Sequence, residues 1–336
     1  MRISIIVPCR NESKYLRTFF SSVLAQALPD GVTLEMVIAD GASTDGTRKI
    51  LNEYAASYAW IRIVDNPRHI VSTGLNLAIA LATGDIVSRM DVHAEYAKDY
   101  VAQCVAVLNE TKADNVGGPA QTRSTGYIQK AISAAYHSPF ACGGARFHDV
   151  TYQGPVDTVT FGCWRKDVLQ KIGLFDEELV RNQDDELNLR LIRAGGKIFQ
   201  SPRIRCWYEP RVSLLALASQ YFQYGYWKVR VIRKHGSPAA LRHLVPAAFV
   251  GVLFLLSIAS FFAVTAEYAL AVVLGLYILA NLVASLAICW GELRLLPVMP
   301  IVLATYHFSY GLGFLAAMFG VVLPSYRSQA PPLPSN

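Results

Sequence analysis

A short motif with two potential metal ligands, Met90-Asp91-Val92-His93, follows the apolar-rich residues 75–87. An aspartate and a histidine two positions apart at the end of a buried strand can bind a divalent cation, which would neutralise a diphosphate. Histidine is a softer ligand than a carboxylate and suits Mn²⁺ better than Mg²⁺. The motif therefore predicts a metal site on Asp91 and His93. The alternative is a surface turn in which His93 is an ordinary exposed residue.

Polar residues also follow the first two predicted strands. A carboxylate at such a strand end can accept a hydrogen bond from the N–H of a uracil or from ribose hydroxyls. The alternative for Asp40 and Asp45 is a helix N-cap, and for Asn11 and Glu12 it is an ordinary helix start. The candidate substrate-binding residues of these two loops are Pro8, Arg10, Asn11, Glu12, Asp40, Ser43 and Asp45.

Asp184, Asp185 and Glu186 supply three carboxylates at the start of a predicted helix. Transfer of a group to a hydroxyl needs a base that takes the proton of the attacking oxygen. A carboxylate crowded by other carboxylates can have a raised pKa, which favours this task. We predict that these three residues are catalytic. The alternative is a solvated acidic helix N-terminus, with Arg190 and Arg193 available as ion-pair partners.

Strands and helices alternate through the first half of the chain, which predicts an α/β fold with a mainly parallel sheet flanked by helices. Ligands of such sheets bind at the carboxyl ends of the strands, where the acidic loops lie. Residues 124–154 have few periodic features and predict a mobile loop over the site, and residues 162–169 predict a helix start. The predicted strands are at 3–8, 33–39, 61–64, 85–90, 116–119 and 197–201, and the other predicted helices are at 12–26, 45–58, 71–82, 97–108 and 184–194.

The composition indicates a membrane protein. Of its 336 residues 53% are hydrophobic, but residues 244–323 are almost uncharged whereas residues 1–240 are mixed. The formal net charge is +6, and a basic cluster directly precedes the apolar region, which indicates a membrane surface rather than nucleic acid. Six scattered cysteines without a C-x-x-C pair predict reduced thiols that face the cytosol, and we expect no signal peptide before the first strand.

Three long apolar segments lie at residues 244–264, 268–290 and 296–323. Spanning a bilayer takes about 20 apolar residues, so each segment can cross; a buried helical domain is the alternative. The third segment is the weakest candidate because it carries His307 and several Gly and Pro residues. Residues 212–234 predict an amphipathic helix in the membrane interface, and the Pro-rich tail of residues 324–336 predicts disorder.

Four motifs together resemble family 2 glycosyltransferases, and in particular membrane-anchored enzymes of succinoglycan-type exopolysaccharide synthesis. They are V-P-x-R-N-E, D-G-x-S-x-D-G-T, G-D-x-x-x-x-M-D-x-H and D-x-E-L-x-x-R-x-x-x-x-G, and they cover about residues 1–200. The resemblance implies a GT-A (Rossmann-like) fold, a nucleotide-diphosphate sugar donor such as a UDP-hexose, Mg²⁺ or Mn²⁺, and inversion to a β-linkage. Together with the apolar and amphipathic segments, it predicts a transferase domain at 1–210, followed by an interfacial helix and basic linker at 211–243 and a transmembrane region at 244–323.

The resemblance also implies roles for single residues. Asp40 matches the nucleotide-binding acid of the family, and Pro8, Asn11 and Glu12 match its first loop. Asp91 matches the first acid of the family's D-x-D motif, with His93 in place of the second, which leaves the metal preference open.

In the E-D-x-[ED]-L pattern of the family, counting back from Leu187 places the catalytic aspartate at Asp184 and the second acid at Glu186. Gln183 replaces the usual Glu, so the choice between Asp184 and Asp185 stays open.

Processive members of the family carry Q-x-x-R-W on an interfacial helix, where this chain has Gln223 and Trp227 but Tyr226 in place of the arginine. The missing charge would hold the diphosphate or a growing chain. Gln223 and Trp227 are therefore further candidate substrate-binding residues, and the substitution favours addition of a single sugar over polymerisation.

The leading hypothesis is an inverting hexosyltransferase of the cell membrane, with a cytoplasmic catalytic domain. Its partners would be a nucleotide-sugar donor, a lipid-linked saccharide acceptor, the membrane and other polysaccharide-assembly proteins, with no nucleic acid. A processive polysaccharide synthase or a polyprenyl-phosphate glycosyltransferase is an enzymatic alternative. A membrane-anchored nucleotide-binding scaffold is a non-catalytic one, but binding alone would not require a base.

The membrane topology is testable from the sequence. By the positive-inside rule, the basic cluster before the first segment keeps the N-terminal domain cytoplasmic, and three spans place the tail on the other side. A periplasm-active reporter fused at Asn336 should be active and a cytosol-active one inactive. The reverse pattern would mean that one segment does not cross. The cluster consists of Lys228, Arg230, Arg233, Lys234 and Arg242.

Overall fold

The computed structural model describes residues 1–321, which form two compact units. The first unit contains Met1–Thr122 and Asp149–Glu209, and the second contains Arg123–His148 and residues 210–321. The predicted tail at 324–336 lies outside the described residues, as do the last two residues of the third apolar segment.

The first unit contains an eight-stranded sheet with the strand order β3-β2-β1-β4-β9-β6-β10-β8, and a three-stranded sheet with the order β5-β11-β7. The strands are β1 (Arg2–Cys9), β2 (Thr33–Asp40), β3 (Ile61–Asp65), β4 (Ile86–Arg89), β5 (Ala94–Tyr96), β6 (Asn115–Gly118), β7 (Gln121–Thr122), β8 (Gly154–Pro155), β9 (Thr160–Arg165), β10 (Ile198–Gln200) and β11 (Cys206–Tyr208). The helices in chain order are α1 (Leu16–Leu24), α2 (Thr47–Ser57), α3 (Val71–Leu81), α4 (Tyr100–Thr111), α5 (Tyr127–Tyr136), α6 (Pro139–Cys142), α7 (Lys166–Ile172), α8 (Gln183–Arg193), α9 (Leu214–His235), α10 (Val245–Ala259), α11 (Val264–Cys289) and α12 (Met299–Met318), of which α5, α6 and α9–α12 belong to the second unit.

The central strands β1 to β4 are parallel, and both of their faces are covered. On β1, Ile5 packs in a cluster with Phe19 of α1 and Tyr100 of α4, whereas the adjacent Ile6 packs with Leu75 of α3 on the other face. This alternation follows from the two-residue period of a strand. The predicted α/β fold with a mainly parallel sheet is confirmed.

The parallel register brings strand ends to one edge of the sheet. Cys9 at the end of β1 is paired with Asp40 at the end of β2, and Asp40 is paired with Asp65 at the end of β3. Asp91 follows two residues after the end of β4, which pairs with β1 on its other side. The loops with the candidate site residues of the first unit therefore leave the sheet from a common edge.

Two local predictions were wrong. Residues 162–169 were predicted to start a helix, but β9 runs through Arg165 and pairs antiparallel with both β4 and β6, and α7 begins only at Lys166. Residues 124–154 were predicted to be a loop, but they contain α5, whose Ile132 is buried with residues of the second unit. Both elements are stabilised by partners distant in the sequence, which periodicity alone does not reveal.

The second unit is helical, and α9 and α12 cross at two glycines. A Cβ on Gly225 would lie 2.0 Å from the carbonyl oxygen of Tyr310, and a Cβ on Gly313 would lie 2.0 Å from that of Phe222. Only glycine permits this approach of the two backbones. Three helical segments are long and apolar enough to span a membrane: Leu241–Ala259, Val264–Cys289 and Met299–Met318.

His307, the residue that weakens the third candidate span, has partners inside the second unit. Its Nε2 donates to the carbonyl oxygen of Phe140 at 2.8 Å, and its Nδ1 accepts from the hydroxyl of Tyr277 at 3.1 Å. Asn281 on the same helix as Tyr277 donates to the carbonyl oxygen of Pro300 at 3.1 Å. Since a polar group in an apolar environment is costly only when it lacks a hydrogen bond, His307 is compatible with a span.

Glu35, in β2, is a buried carboxylate far along its strand from the candidate site. It accepts hydrogen bonds from the Ser4 hydroxyl at 2.5 Å, from the Thr83 backbone N–H, and from Arg62 at 2.9 Å, and Arg2 lies 3.7 Å away. Burial acts to raise the pKa of Glu35, but the hydrogen bonds from Ser4 and Thr83 and the charge of Arg2 together lower it to about 2. The ionised form is therefore the one that the fold stabilises.

Replacement of Glu35 by Gln should destabilise the purified protein. The stabilisation is present above the unfolded pKa of about 4.5 and is lost as the pH falls toward 2. At pH 7 we expect a loss on the order of 2–3 kcal/mol, visible as a lower thermal midpoint by circular dichroism, with the difference shrinking below pH 4.5. Glu53→Gln, which breaks an exposed ion pair with Arg17, is the control and should change little. Equal effects of the two variants would contradict this account.

Candidate functional site

The end of β1 carries the first predicted site residues. Pro8 is partly buried within the strand, and Arg10 is exposed, with its side chain against Gly41 of the neighbouring loop. Burial raises the pKa of the Cys9 thiol, and the negative charges of Glu12, Asp40 and Asp45 add to this. Cys9 is therefore a neutral packing residue rather than a nucleophile.

The loops after β1 and β2 are tied together by hydrogen bonds from backbone N–H groups. The N–H of Asn11 donates to the Ser43 hydroxyl at 2.9 Å, and the N–H of Thr44 donates to the side-chain oxygen of Asn11 at 2.8 Å. The N–H of Glu12 donates to the Thr47 hydroxyl at 2.7 Å. The loops that carry the predicted residues Asn11, Glu12 and Ser43 therefore form one hydrogen-bonded wall at this edge of the sheet.

Asp45 stabilises this wall. Its Oδ1 accepts from the N–H of Thr47 at 3.1 Å, and its Oδ2 accepts from the N–H and the hydroxyl of Ser13 at 3.1 and 2.9 Å. The hydrogen bonds from Thr47 and Ser13 hold the pKa of Asp45 well below its usual range. Both oxygens are engaged in protein contacts, which favours the structural interpretation of Asp45 as a residue at the start of α2.

Asp40 is buried, with 2% of its surface exposed. Its Oδ1 accepts from the Ser43 hydroxyl at 2.6 Å, and its Oδ2 accepts from Arg48 at 3.1 Å. Arg48 also contacts Asp65, so that one guanidinium joins the acids at the ends of two adjacent strands. The sequence analysis missed Arg48 and Asp65. The signal available was that an acid at the end of a buried strand needs a cation as partner.

Asp91 is held by Arg89, a third residue that the sequence analysis missed. Nε and Nη2 of Arg89 donate to the two oxygens of Asp91 at 3.0 and 2.9 Å, a bidentate pair. The backbone N–H of Asp91 donates to the hydroxyl of Tyr96 at 2.7 Å, which also fixes the turn. Arg89 is 5% exposed although it ends a buried strand, and a buried arginine in such a position is itself a sign of a site.

The loops that follow β1 and β4 meet through His93. Its Nε2 lies 3.0 Å from an oxygen of Glu12, and its ring lies 5.1 Å from the ring of Tyr15. More than half of the His93 side chain is exposed, whereas that of Glu12 is nearly buried. The structure thus brings together two predicted site residues that are 81 positions apart.

Asp184 lies in the first turn of α8 and is partly buried. Burial raises the pKa of Asp184, the positive charge of Arg89 lowers it, and the negative charge of Asp185 raises it, so that the net direction is upward. Asp184 and Asp91 therefore both interact with the Arg89 charge. The predicted base and the predicted metal ligand are thus subject to the charge of the same arginine.

The placement of Glu186 does not support its predicted catalytic role. It is fully buried, and its two oxygens accept from Nε and Nη2 of Arg190 at 2.7 and 2.8 Å. Arg190 in turn donates to the backbone carbonyls of Ile172 and Leu174. Glu186 therefore fixes α8 to the segment after α7, because its side chain points into the protein on the helix face that carries Arg190.

Gln223 and Trp227 belong to α9 in the second unit. Gln223 donates to the Ser219 hydroxyl at 3.4 Å, one turn earlier in the helix. Trp227 is 1% exposed, and the guanidinium of Arg230 lies 5.1 Å from its ring centre. In this conformation Trp227 is a packing residue, and its predicted contact with substrate stays a prediction.

The donor set at Asp91 fits a cation that is shared with a substrate. Among residues 1–321, no three His, Cys, Asp or Glu side chains are grouped so that they could hold a metal ion by themselves. If Asp91 and His93 served as ligands, the other positions would be left to phosphate oxygens and water, the usual arrangement for Mg²⁺ in nucleotide enzymes. The residues present therefore fit a metal that is bound with a diphosphate.

Comparison with known sequences identifies similar proteins over most of the chain. The model of the family described as "Glycosyl transferase family 2" matches residues 4–173. The chain is 32% identical over 264 residues to the succinoglycan biosynthesis protein ExoA of Rhizobium meliloti (strain 1021), which covers 77% of the chain and 79% of the relative. It is 26% identical over 325 residues to a dolichyl N-acetyl-alpha-D-glucosaminyl phosphate 3-beta-D-2,3-diacetamido-2,3-dideoxy-beta-D-glucuronosyltransferase of Methanococcus voltae, which covers 94% of the chain and 97% of the relative.

Among solved structures, the chain resembles the mannosyltransferase PcManGT from Pyrobaculum calidifontis in complex with GDP-Man and Mn²⁺. The TM-score is 0.61 at 18% identity, over 96% of this chain and 88% of the other. At this identity the likeness concerns the fold. Together with the family match it confirms the predicted GT-A fold followed by three apolar C-terminal helices.

Proposed function

The chain belongs to glycosyl transferase family 2, and from this premise we propose that it transfers a single sugar, with inversion, from a nucleotide-diphosphate donor to a lipid-linked saccharide. The observation that carries the proposal is the position of Arg89, which donates to both oxygens of Asp91 and whose charge also acts on Asp184. Asp91 would bind the cation that neutralises the leaving diphosphate, and Asp184 would take the proton of the attacking hydroxyl. A nucleotide-binding scaffold would need only the first of them.

The donor side of the proposal uses the edge of the parallel sheet. Asp40, at the end of β2, would accept a hydrogen bond from the base or ribose of a UDP-hexose, with Ser43 and Arg48 holding the carboxylate in place. Asp91 and His93 would hold the Mg²⁺ or Mn²⁺, whose chemistry is to neutralise the charge on the leaving diphosphate.

The acceptor side depends on Asp184. The attacking hydroxyl loses its proton as the new bond to the anomeric carbon forms, and a base with a pKa raised toward neutrality is better suited to take that proton. The raised pKa of Asp184 supports this role. Asp185, its neighbour, stays the alternative base. A single displacement with the base opposite the leaving group inverts the configuration at the sugar.

A lipid-linked acceptor is supported by the relatives and by the second unit. The Methanococcus voltae relative is named for a dolichyl-phosphate-linked sugar, and its similarity covers the C-terminal helices as well as the first unit. The Rhizobium meliloti relative is named for succinoglycan biosynthesis. These names support the proposal that the enzyme acts in polysaccharide assembly at the cell membrane, and the basic cluster before the first span supports a cytoplasmic first unit. The absence of the arginine of Q-x-x-R-W, replaced by Tyr226, disfavours the processive alternative.

The proposed metal site predicts that transfer requires a divalent cation. Asp91→Asn, which keeps an acceptor for Arg89, and Asp91→Ala should both abolish transfer of label from a panel of radiolabelled nucleotide sugars into membrane lipid extracts. EDTA should abolish it in the wild-type enzyme, and Mn²⁺ or Mg²⁺ should restore it. Asp99→Asn, which breaks an exposed ion pair with Arg205, is the matched control and should retain activity. Full wild-type activity in EDTA would rule out the metal.

The proposed base predicts a defined loss of turnover. Asp184→Asn keeps the shape of the side chain and loses its basicity, so kcat should fall by about 10²–10⁴-fold while the KM for the donor changes little. Because the base must be deprotonated and its pKa is raised, wild-type kcat should fall on the acid side at a pH above the ordinary range of an aspartate. Asp185→Asn should be milder. A larger loss with Asp185→Asn would identify Asp185 as the base, and no loss with either would contradict single displacement.

A further inference from the structure

Arg89 is an unusual residue for its position. It ends β4, a strand whose residues are all buried, and 5% of its own surface is exposed. A charged side chain in such a place is costly unless it is paired. It forms a bidentate pair with Asp91, since Nε and Nη2 each donate to a different oxygen. The two residues together form a neutral, preassembled group at the end of the strand.

In this bidentate pair, Arg89 competes with any cation for the carboxylate of Asp91. A divalent metal needs a carboxylate lone pair and is repelled by a neighbouring positive charge. Here both carboxylate oxygens accept from Arg89 at 3.0 and 2.9 Å, and the guanidinium charge lies directly beside them. His93, the other proposed ligand, already has its Nε2 3.0 Å from an oxygen of Glu12. The site as built is therefore poorly suited to bind a metal ion alone.

Arg89 also retains a donor that its contacts do not use. Its Nη1 is buried, and no residue among 1–321 accepts a hydrogen bond from it. The second carboxylate that interacts with the guanidinium is Asp184. A buried N–H without an acceptor is destabilising, so Arg89 would gain if its side chain turned away from Asp91 and donated to an oxygen of a bound diphosphate. A nucleotide-sugar donor brings its own negative charge. It would therefore offset the repulsion between the cation and Arg89.

We propose that Arg89 is a positioning residue that opposes the binding of a divalent cation to Asp91 until a nucleoside diphosphate is present, so that cation and donor enter together. The inference rests on the proposed metal role of Asp91. It explains why a strand end that carries a metal ligand also carries a buried arginine two residues earlier. The diphosphate supplies both the phosphate ligands of the cation and the acceptor for the arginine.

The test measures binding of Mn²⁺ alone, in the absence of any nucleotide, to the full-length enzyme in detergent. In Arg89→Gln the affinity for Mn²⁺, followed by electron paramagnetic resonance of the free ion, should rise at least about tenfold, because a unit charge about 4 Å from a divalent ion acts strongly even at an effective dielectric constant of about 20. Arg89→Lys should give a smaller rise, since an ammonium keeps the charge but cannot hold both oxygens.

Two further variants make the result specific. Arg62→Gln removes an arginine that pairs with buried Glu35 and changes the net charge equally, so it should leave Mn²⁺ affinity unchanged. Adding Asp91→Asn to Arg89→Gln should abolish the gain and also removes both charges of the pair, which favours a folded protein. Circular dichroism confirms folding in each case.

The outcomes separate the inference from the proposed function. Unchanged or weaker Mn²⁺ binding in both Arg89→Gln and Arg89→Lys, with wild-type transfer still abolished by EDTA, would overturn the inference and leave the metal role standing. A gain that survives Asp91→Asn would also overturn it, because the ion would then bind elsewhere. Full transfer in EDTA would overturn the metal role itself and the inference with it.

Discussion

The parallel, in-register pairing of β1 with β2 and β4 is the constraint on which the candidate site depends. Parallel strands end at the same edge of a sheet, so loops that are distant in the sequence leave it side by side. Cys9, Asp40 and Asp65 are direct register partners, and the contact of Glu12 with His93 joins the loops after β1 and β4. A slip of one residue in any of these strands would turn the acids into the apolar core.

Four acids of the first unit differ in how they interact with the nearest arginine. Glu186 is buried, and both of its oxygens accept from Arg190. Glu35 is buried and accepts from Arg62 among several other donors. Both acids stabilise the fold. Asp91 is also paired with an arginine, but 28% of its side chain remains exposed. The charge of Arg89 and backbone hydrogen bonds lower the pKa of Asp184, but burial and the charge of Asp185 keep it raised. Partial exposure separates Asp91 and Asp184 from the fully buried acids that hold elements together.

The second unit satisfies a different constraint, because its helices expose apolar side chains along most of their length. Close packing at Gly225 and Gly313 and the hydrogen bonds of His307 hold these helices together without a large polar interface. Small residues at helix crossings and satisfied polar groups are features of helices that pack in lipid. This agreement supports the membrane location that the composition had suggested.

The sequence by itself determined the order of β1 to β4 and of the helices between them, the acids at the strand ends and the three apolar segments, because periodicity and composition are local properties. It did not determine that residues 160–165 form a strand between β4 and β6, or that α5 packs in the second unit, since both depend on partners far away in the chain. Only the tertiary structure decided the surroundings of each acid, because burial arises when distant segments meet. It enclosed the local pair of Glu186 and Arg190 inside the protein, and it brought Asp184 under the charge of Arg89, the arginine that also pairs with Asp91.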